Sequence, residues 1–287
     1  MHLILILLSL AFAIICQRVS FPDSGTWAQR WQRSLIGLIL PPLMLLMTAV
    51  AVIWMGPVGQ MLGRPTGWLG YGLAWGLCGW ALILGLILTV RGWISILQVR
   101  SYRQIEVNQM TVRLLENPVL FCAQIGFWHP ELVVSQGLLK TLTPDQQQAV
   151  FVHEQAHHYY RDTFWFFGLG WCRRLTAWLP YTEPIWQELL LLRELRADRR
   201  ASQQIDPLLL AETLLLMVRQ PVAVSEENCA AFSCTAPANR ITERIEALLS
   251  DDDSQSFESD PPINSWNWSL LVFVFLPLIT VPFHHHC

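Results

Sequence analysis

The sequence predicts a mainly α polytopic membrane protein, with about four transmembrane helices and an α+β domain inserted before the last of them. Three observations lead there. The chain of 287 residues is 53% hydrophobic and only 14% charged, whereas a soluble domain carries about a quarter charged residues. Residues 35–55 and 67–90 contain no charge and are long enough to cross a ~30 Å hydrocarbon core. Residues 98–262 then form a region of domain size with a mixed, polar-containing composition.

Taken in order, residues 3–16 are a short apolar run and residues 266–283 a longer one. Ala11-Phe12-Ala13 resembles a signal-peptide cleavage site, but only Met1 and His2 precede the run. Without positive charge at its start it reads as an uncleaved anchor. Arg18, Arg30 and Arg33 occupy the first loop, Arg64 the second, and Arg91, Arg100, Arg103 and Arg113 follow the third span. Positive residues gather on the cytoplasmic side. The expected topology in the cell membrane is therefore multi-pass, with the inserted domain cytoplasmic and both termini on the opposite side.

Four regions result: a three-helix membrane region over residues 1–97, a cytoplasmic domain over 98–250, an acidic flexible linker over 251–264, and a last helix with a short tail over 265–287. Gly72 and Gly76 form a G-x-x-x-G pair, which is expected to serve ordinary packing within the chain. A net charge of −3, with no basic stripe, argues against a nucleic-acid role. The partners expected are the lipid bilayer and a protein or peptide substrate, with a homo-oligomer compatible with the sequence. Cys122, Cys172, Cys229 and Cys234 are expected as reduced thiols.

Within the inserted domain, "VRLLENPVLFCAQIGFWHPELVVSQGLL" mixes short apolar runs with Gly126 and Pro130, and reads as strands and turns. "TPDQ" follows. Thr143 can cap a helix, Pro144 suits its first position, and Gln146 completes a capping box. Further helices are expected over residues 183–202, 206–219 and 239–249. The apolar stretch 163–180 is interrupted by Arg173-Arg174 and fits an interfacial helix better than a crossing one.

The helix opened by Thr143 carries His153, Glu154 and His157 in an H-E-x-x-H array. Residues i and i+4 share a helix face, so two imidazoles can bind one metal. The glutamate between them stands to one side, placed to take a proton from a metal-bound water. Ala149, Val150, Val152 and Ala156 flank the histidines, so the pair lies within the core-facing stripe, where a metal would satisfy both rings. His158 lies off that stripe. A third ligand must come from elsewhere, since positions 160 and 163 are tyrosine and threonine. "LLRELRAD" offers Glu194 and Asp198, four residues apart on one face. Arg193, Arg196, Arg199 and Arg200 could pair with both acids on a solvated helix. Beside the histidine motif, Glu194 is favoured as the ligand and Asp198 as the group that orients a ligand histidine.

"GFWHPELVVSQGLLKTLTPDQQQAVFVHEQAHHYYRDTFWFF" followed by "WLPYTEPIWQELLLLRELRADRRA" resembles the integral-membrane zinc peptidases of the BlaR/MecR type. These are distantly similar to the HtpX and CAAX-prenyl proteases. The resemblance covers residues 126–201 and the surrounding spans, with Pro184 and Trp186 separating this type from the HtpX type. It implies a zincin-like α+β peptidase domain and one Zn2+ per chain held by His153, His157 and Glu194. Glu154 would be the general base, and residues 120–126 an edge strand that holds the substrate backbone. It further implies an endopeptidase acting in regulatory proteolysis, with a transcriptional repressor as the family's kind of substrate. The family's penicillin-binding sensor is not expected, because only a few residues follow the last span. The alternatives are an HtpX-like or CAAX-type quality-control or processing protease, and a catalytically silent zinc-binding receptor or scaffold.

Overall fold

Apolar length and cap chemistry sort the chain into its elements. The computed structural model describes residues 1–21, 25–61, 64–219, 240–250 and 268–285, and the described part is predominantly helical. The expected acidic linker over residues 251–264, together with Cys229 and Cys234, lies outside the described residues. The chain divides into two units. One comprises Met1–Leu86, Trp171–Leu189 and Ser254–Cys287, and the other Ile87–Gly170 and Leu190–Asp253.

The first unit contains α1 (His2–Ser20) and α2 (Trp27–Met55) and begins α3 (Trp68–Ser101). These three helices, of 19, 29 and 34 residues, are long and apolar enough to cross a membrane. Thr26 and Gln29 form a capping box at the start of α2, which satisfies two backbone groups at the helix entry. Ser9 and Thr48 share a buried 2.7 Å hydrogen bond between α1 and α2, a polar tie of the kind that joins apolar helices. Gly72, Gly76 and Gly79 of α3 face open space rather than a packed neighbour, so the expected packing role of this stripe is not what the fold uses. The final segment, Trp268–Phe283, is a 16-residue 3-10 helix interrupted by Pro277 and Pro282. Each proline removes a donor that an α-helix requires, and the segment is not among the three helices of crossing length. Two-residue strands β1 (Gln60–Met61), β2 (Arg64–Pro65) and β7 (His284–His285) pair in the order β2-β1-β7.

The second unit is built on a four-stranded sheet in the order β3-β4-β6-β5. Strands β3 (Arg103–Val107) and β4 (Met110–Leu115) form an antiparallel hairpin. Asn108 and Gln109 turn it with φ of 49° and 64°, the left-handed pair that a two-residue hairpin demands. Strand β6 (Glu131–Ser135) runs parallel to β4 and leads into the short helix α4 (Gln136–Thr141), and β5 (Cys122–Ile125) closes the sheet as an antiparallel edge. Alternate residues face opposite sides. Val112, Cys122, Leu132 and Val134 pack with Val150 and Phe151 of α5 (Pro144–Tyr159). Ala123, Ile125 and Val133 pack on the other face with Val99.

Thr143 caps α5 through the capping box with Gln146, and Pro144 occupies the first turn. On its far side α5 packs Ala149 and Val152 against Ala201 of α7 (Thr182–Ser202) and Leu210 of α8 (Pro207–Arg219). Helix α6 (Asp162–Leu175) has 14 residues. At 1.5 Å per residue that is about 21 Å, short of a hydrocarbon core. A last helix, Ile241–Leu249, follows. Helix α5 is thus clamped between a sheet and two helices, and this fixes the direction of its side chains.

Candidate metal centre

His153, His157 and Glu194 converge in the second unit, each offering a ligand atom within 4.8 Å of the others. His153 and His157 are one turn apart on α5, and their Nε2 atoms stand 3.1 Å from each other. Glu194 comes from the second half of α7, with Oε2 3.4 Å from His153 Nε2 and Oε1 3.7 Å from His157 Nε2. Two imidazoles and a carboxylate make a donor set that suits a first-row divalent metal.

The outer nitrogens explain why the inner ones are available. Asp162 Oδ2 accepts from His157 Nδ1 at 2.8 Å, and Asp198 Oδ1 stands 2.9 Å from His153 Nδ1. A carboxylate only accepts, so His157 is held with its proton at Nδ1 and its lone pair at Nε2. At His153 the Asp198 charge beside Nδ1 favours the same tautomer, although that nitrogen makes no aligned hydrogen bond. Two lone pairs then face each other beside the Glu194 carboxylate. Such an arrangement needs a cation between them, either a proton or a metal ion.

Guanidinium groups anchor every carboxylate but one. Arg193, itself 4% exposed, donates to Glu194 Oε1 from Nε at 2.9 Å and from a terminal nitrogen at 2.7 Å. Arg244 binds Asp198 with two hydrogen bonds, of 2.7 and 2.8 Å, and reaches within 3.3 Å of Glu194 Oε2. Arg196 donates to Asp162 Oδ1. Four acids (Glu154, Asp162, Glu194, Asp198) therefore meet three arginines, which leaves room for added positive charge.

The titration of these groups follows from that balance. For His157, burial opposes the charged form, but the Glu194 charge and the Asp162 hydrogen bond outweigh it and raise its pKa to about 10. His153 is raised for the same reason, with Asp198 as the main opponent of burial. Glu194 is held well below the usual carboxylate range because Arg193, His157 and Arg244 overcome its desolvation. Asp198 is lowered against burial chiefly by Arg244. Glu154 behaves oppositely: burial raises its pKa, and the nearby histidines only partly offset the rise. A carboxylate raised in this way is a stronger proton acceptor than an ordinary one.

Of the residues expected from sequence, His153, His157, Glu194 and Asp198 are brought together, and Glu154 lies on the same helix beside them. Cys122 of edge strand β5 is close by. Burial first, then the Glu154 carboxylate, push its thiol well above the ordinary range, so it is neutral. Arg193 pairs with Glu194 as the sequence allowed, but in a buried site, while Arg196 pairs with Asp162. Asp162 and Arg244 were not expected. Asp162 follows His157 by five residues across a turn, a spacing with no helical signal. Arg244 is 46 residues from its partner Asp198, and nothing local marks it. Comparison of the chain with protein-family models, with curated proteins and with solved structures finds no match.

Proposed function

We propose that the chain is a membrane-embedded zinc-dependent endopeptidase, with His153, His157 and Glu194 as metal ligands and Glu154 as general base. The observation that carries this reading is the pair of Nε2 atoms 3.1 Å apart with a carboxylate beside each Nδ1. When bound there, zinc would polarise a scissile carbonyl and acidify a water. Glu154 would take a proton from the attacking water and hand it to the leaving amine nitrogen. Asp162 holds the His157 imidazole with its proton at Nδ1, and the Asp198 carboxylate beside His153 Nδ1 favours the same tautomer there. Strand β5 lies at the edge of the sheet among the described residues, where a substrate segment can add as a further strand. The resemblance to the BlaR/MecR type and the arginine distribution support a catalytic domain on the cytoplasmic side and a protein substrate, a repressor being the family's kind.

A second reading, a silent structural centre, draws support from Arg193 and Arg244, which already neutralise Glu194. One experiment separates the two. Full-length protein purified in detergent is loaded with zinc and incubated with a denatured protein mixture, and new N-termini are counted beside the Glu154→Gln variant. New termini with the wild type and none with the variant are expected. Equal counts from both would remove the peptidase reading.

A further inference from the structure

A cavity of about 520 Å³ opens in the second unit where β4 and β6 begin to diverge, bordered by α5 on one face of the sheet and by Arg113 and Glu131 on the other. Met110, Val112 and Leu132 give it apolar walls, while Gln124 of β5 and Gln155 and His158 of α5 give it polar ones. Gln155 and His158 follow Glu154 and His157 by one residue each. The cavity therefore lies about 150° around the same helix from His153 and His157, and about 70° from Glu154, which stands between.

Gln124 is the informative member. It is 8% exposed, and its side-chain Oε1 is buried without a hydrogen-bond partner. An orphaned buried acceptor costs free energy that a leucine of similar size would not. Its place on the strand gives it a use. Cys122, beside Glu154, precedes it by two residues on the same face, so Gln124 stands about 7 Å further along the edge.

We infer that this cavity is a substrate side-chain pocket read by Gln124, and that it takes a large neutral residue ending in a hydrogen-bond donor, namely tyrosine, tryptophan or glutamine. The inference rests on the peptidase reading and names the substrate feature selected there. A chain laid along β5 with its scissile bond at Glu154 brings one side chain to Gln124. The donor pairs the orphaned Oε1, and the apolar walls take the stem. Arg113 and Glu131 also border the cavity but pair with each other. Among the described lining residues the arginine and the glutamate are thus already paired, and a lysine or glutamate side chain would lose its hydration there without a carboxylate or guanidinium of its own. Phenylalanine or leucine would fit the walls and leave the acceptor unpaired.

The test is binding, so that it does not depend on turnover. Full-length zinc-loaded Glu154→Gln protein in detergent is applied to an immobilised peptide array with one position varied at a time. At one position tyrosine should exceed phenylalanine, and glutamine exceed leucine, by about tenfold or more. Gln124→Leu should abolish both preferences without lowering the thermal midpoint, since it removes an unpaired polar atom. Thr111→Trp, at an exposed rim position, should instead shut out every large residue. Absence of any tyrosine-over-phenylalanine preference, or a preference unchanged in both variants, overturns the inference. Selective binding without cleavage by the wild type would contradict the peptidase reading and leave the pocket standing.

Discussion

Two imidazoles whose outer nitrogens face carboxylates hold their inner lone pairs in opposition, and this sets the pH behaviour of the centre. In the metal-free protein His157 has its pKa raised from 6.5 to about 10. A raised histidine contributes stability that is fully present below its unfolded pKa and is lost as pH rises through the folded one. The thermal midpoint of chelator-treated protein should therefore fall between pH 6.5 and 10, and the stabilisation gained on adding zinc should grow over that window. Calorimetric unfolding with and without zinc checks this, and a metal-free midpoint that rises with pH would contradict it. Asp162→Ala and Asp198→Ala should each weaken zinc affinity by about 10–100-fold, as measured by competition with a chelating dye. Loss at Asp198 alone would mean that His157 needs no support from Asp162. Glu154→Gln should keep zinc occupancy near that of the wild type.

At the scale of elements, the centre depends on how firmly α5 is seated. Thr143→Ala removes the cap of the helix that carries both histidines and should cost about 1 kcal/mol in chemical denaturation. Gly137 is a tighter constraint: a Cβ there would lie 2.0 Å from the Pro118 carbonyl oxygen. Gly137→Ala should therefore destabilise the second unit by about 1–3 kcal/mol, and unchanged stability would show that the contact relaxes freely. These elements also divide what sequence makes legible from what it hides. The capping box, the H-E-x-x-H face and the helix bearing Glu194 are visible because cap chemistry and the 3.6-residue period act over neighbouring residues. Strand β3 is hidden, since "RQIEV" has little apolar alternation and gains its place from pairing with β4. The turn at Asn108-Gln109 lacks the glycine that usually marks such a hairpin. Asp162 and Arg244 are hidden because their partners are set by the fold alone. The final segment is apolar enough to suggest a span, yet Pro277 and Pro282 wind it as a 3-10 helix.

For the whole molecule, three helices of crossing length and the exposed apolar side chains of α3, such as Leu82 and Leu86, make membrane association the governing constraint. The arginine distribution predicts that a reporter fused after Leu249 reads the cytoplasm and one fused at Cys287 reads the opposite side. Identical readings at both would mean that the final segment does not cross. Everything proposed for function, however, turns on whether the two histidines and Glu194 hold a metal. Elemental analysis of the purified full-length chain after zinc loading and desalting measures this directly, beside Glu194→Ala and, as a control, Glu212→Ala at an exposed site on α8. One zinc per chain in the wild type and in Glu212→Ala, with loss in Glu194→Ala, is the predicted result. A wild-type chain that keeps no zinc, or a Glu194→Ala chain that still keeps one, would contradict it.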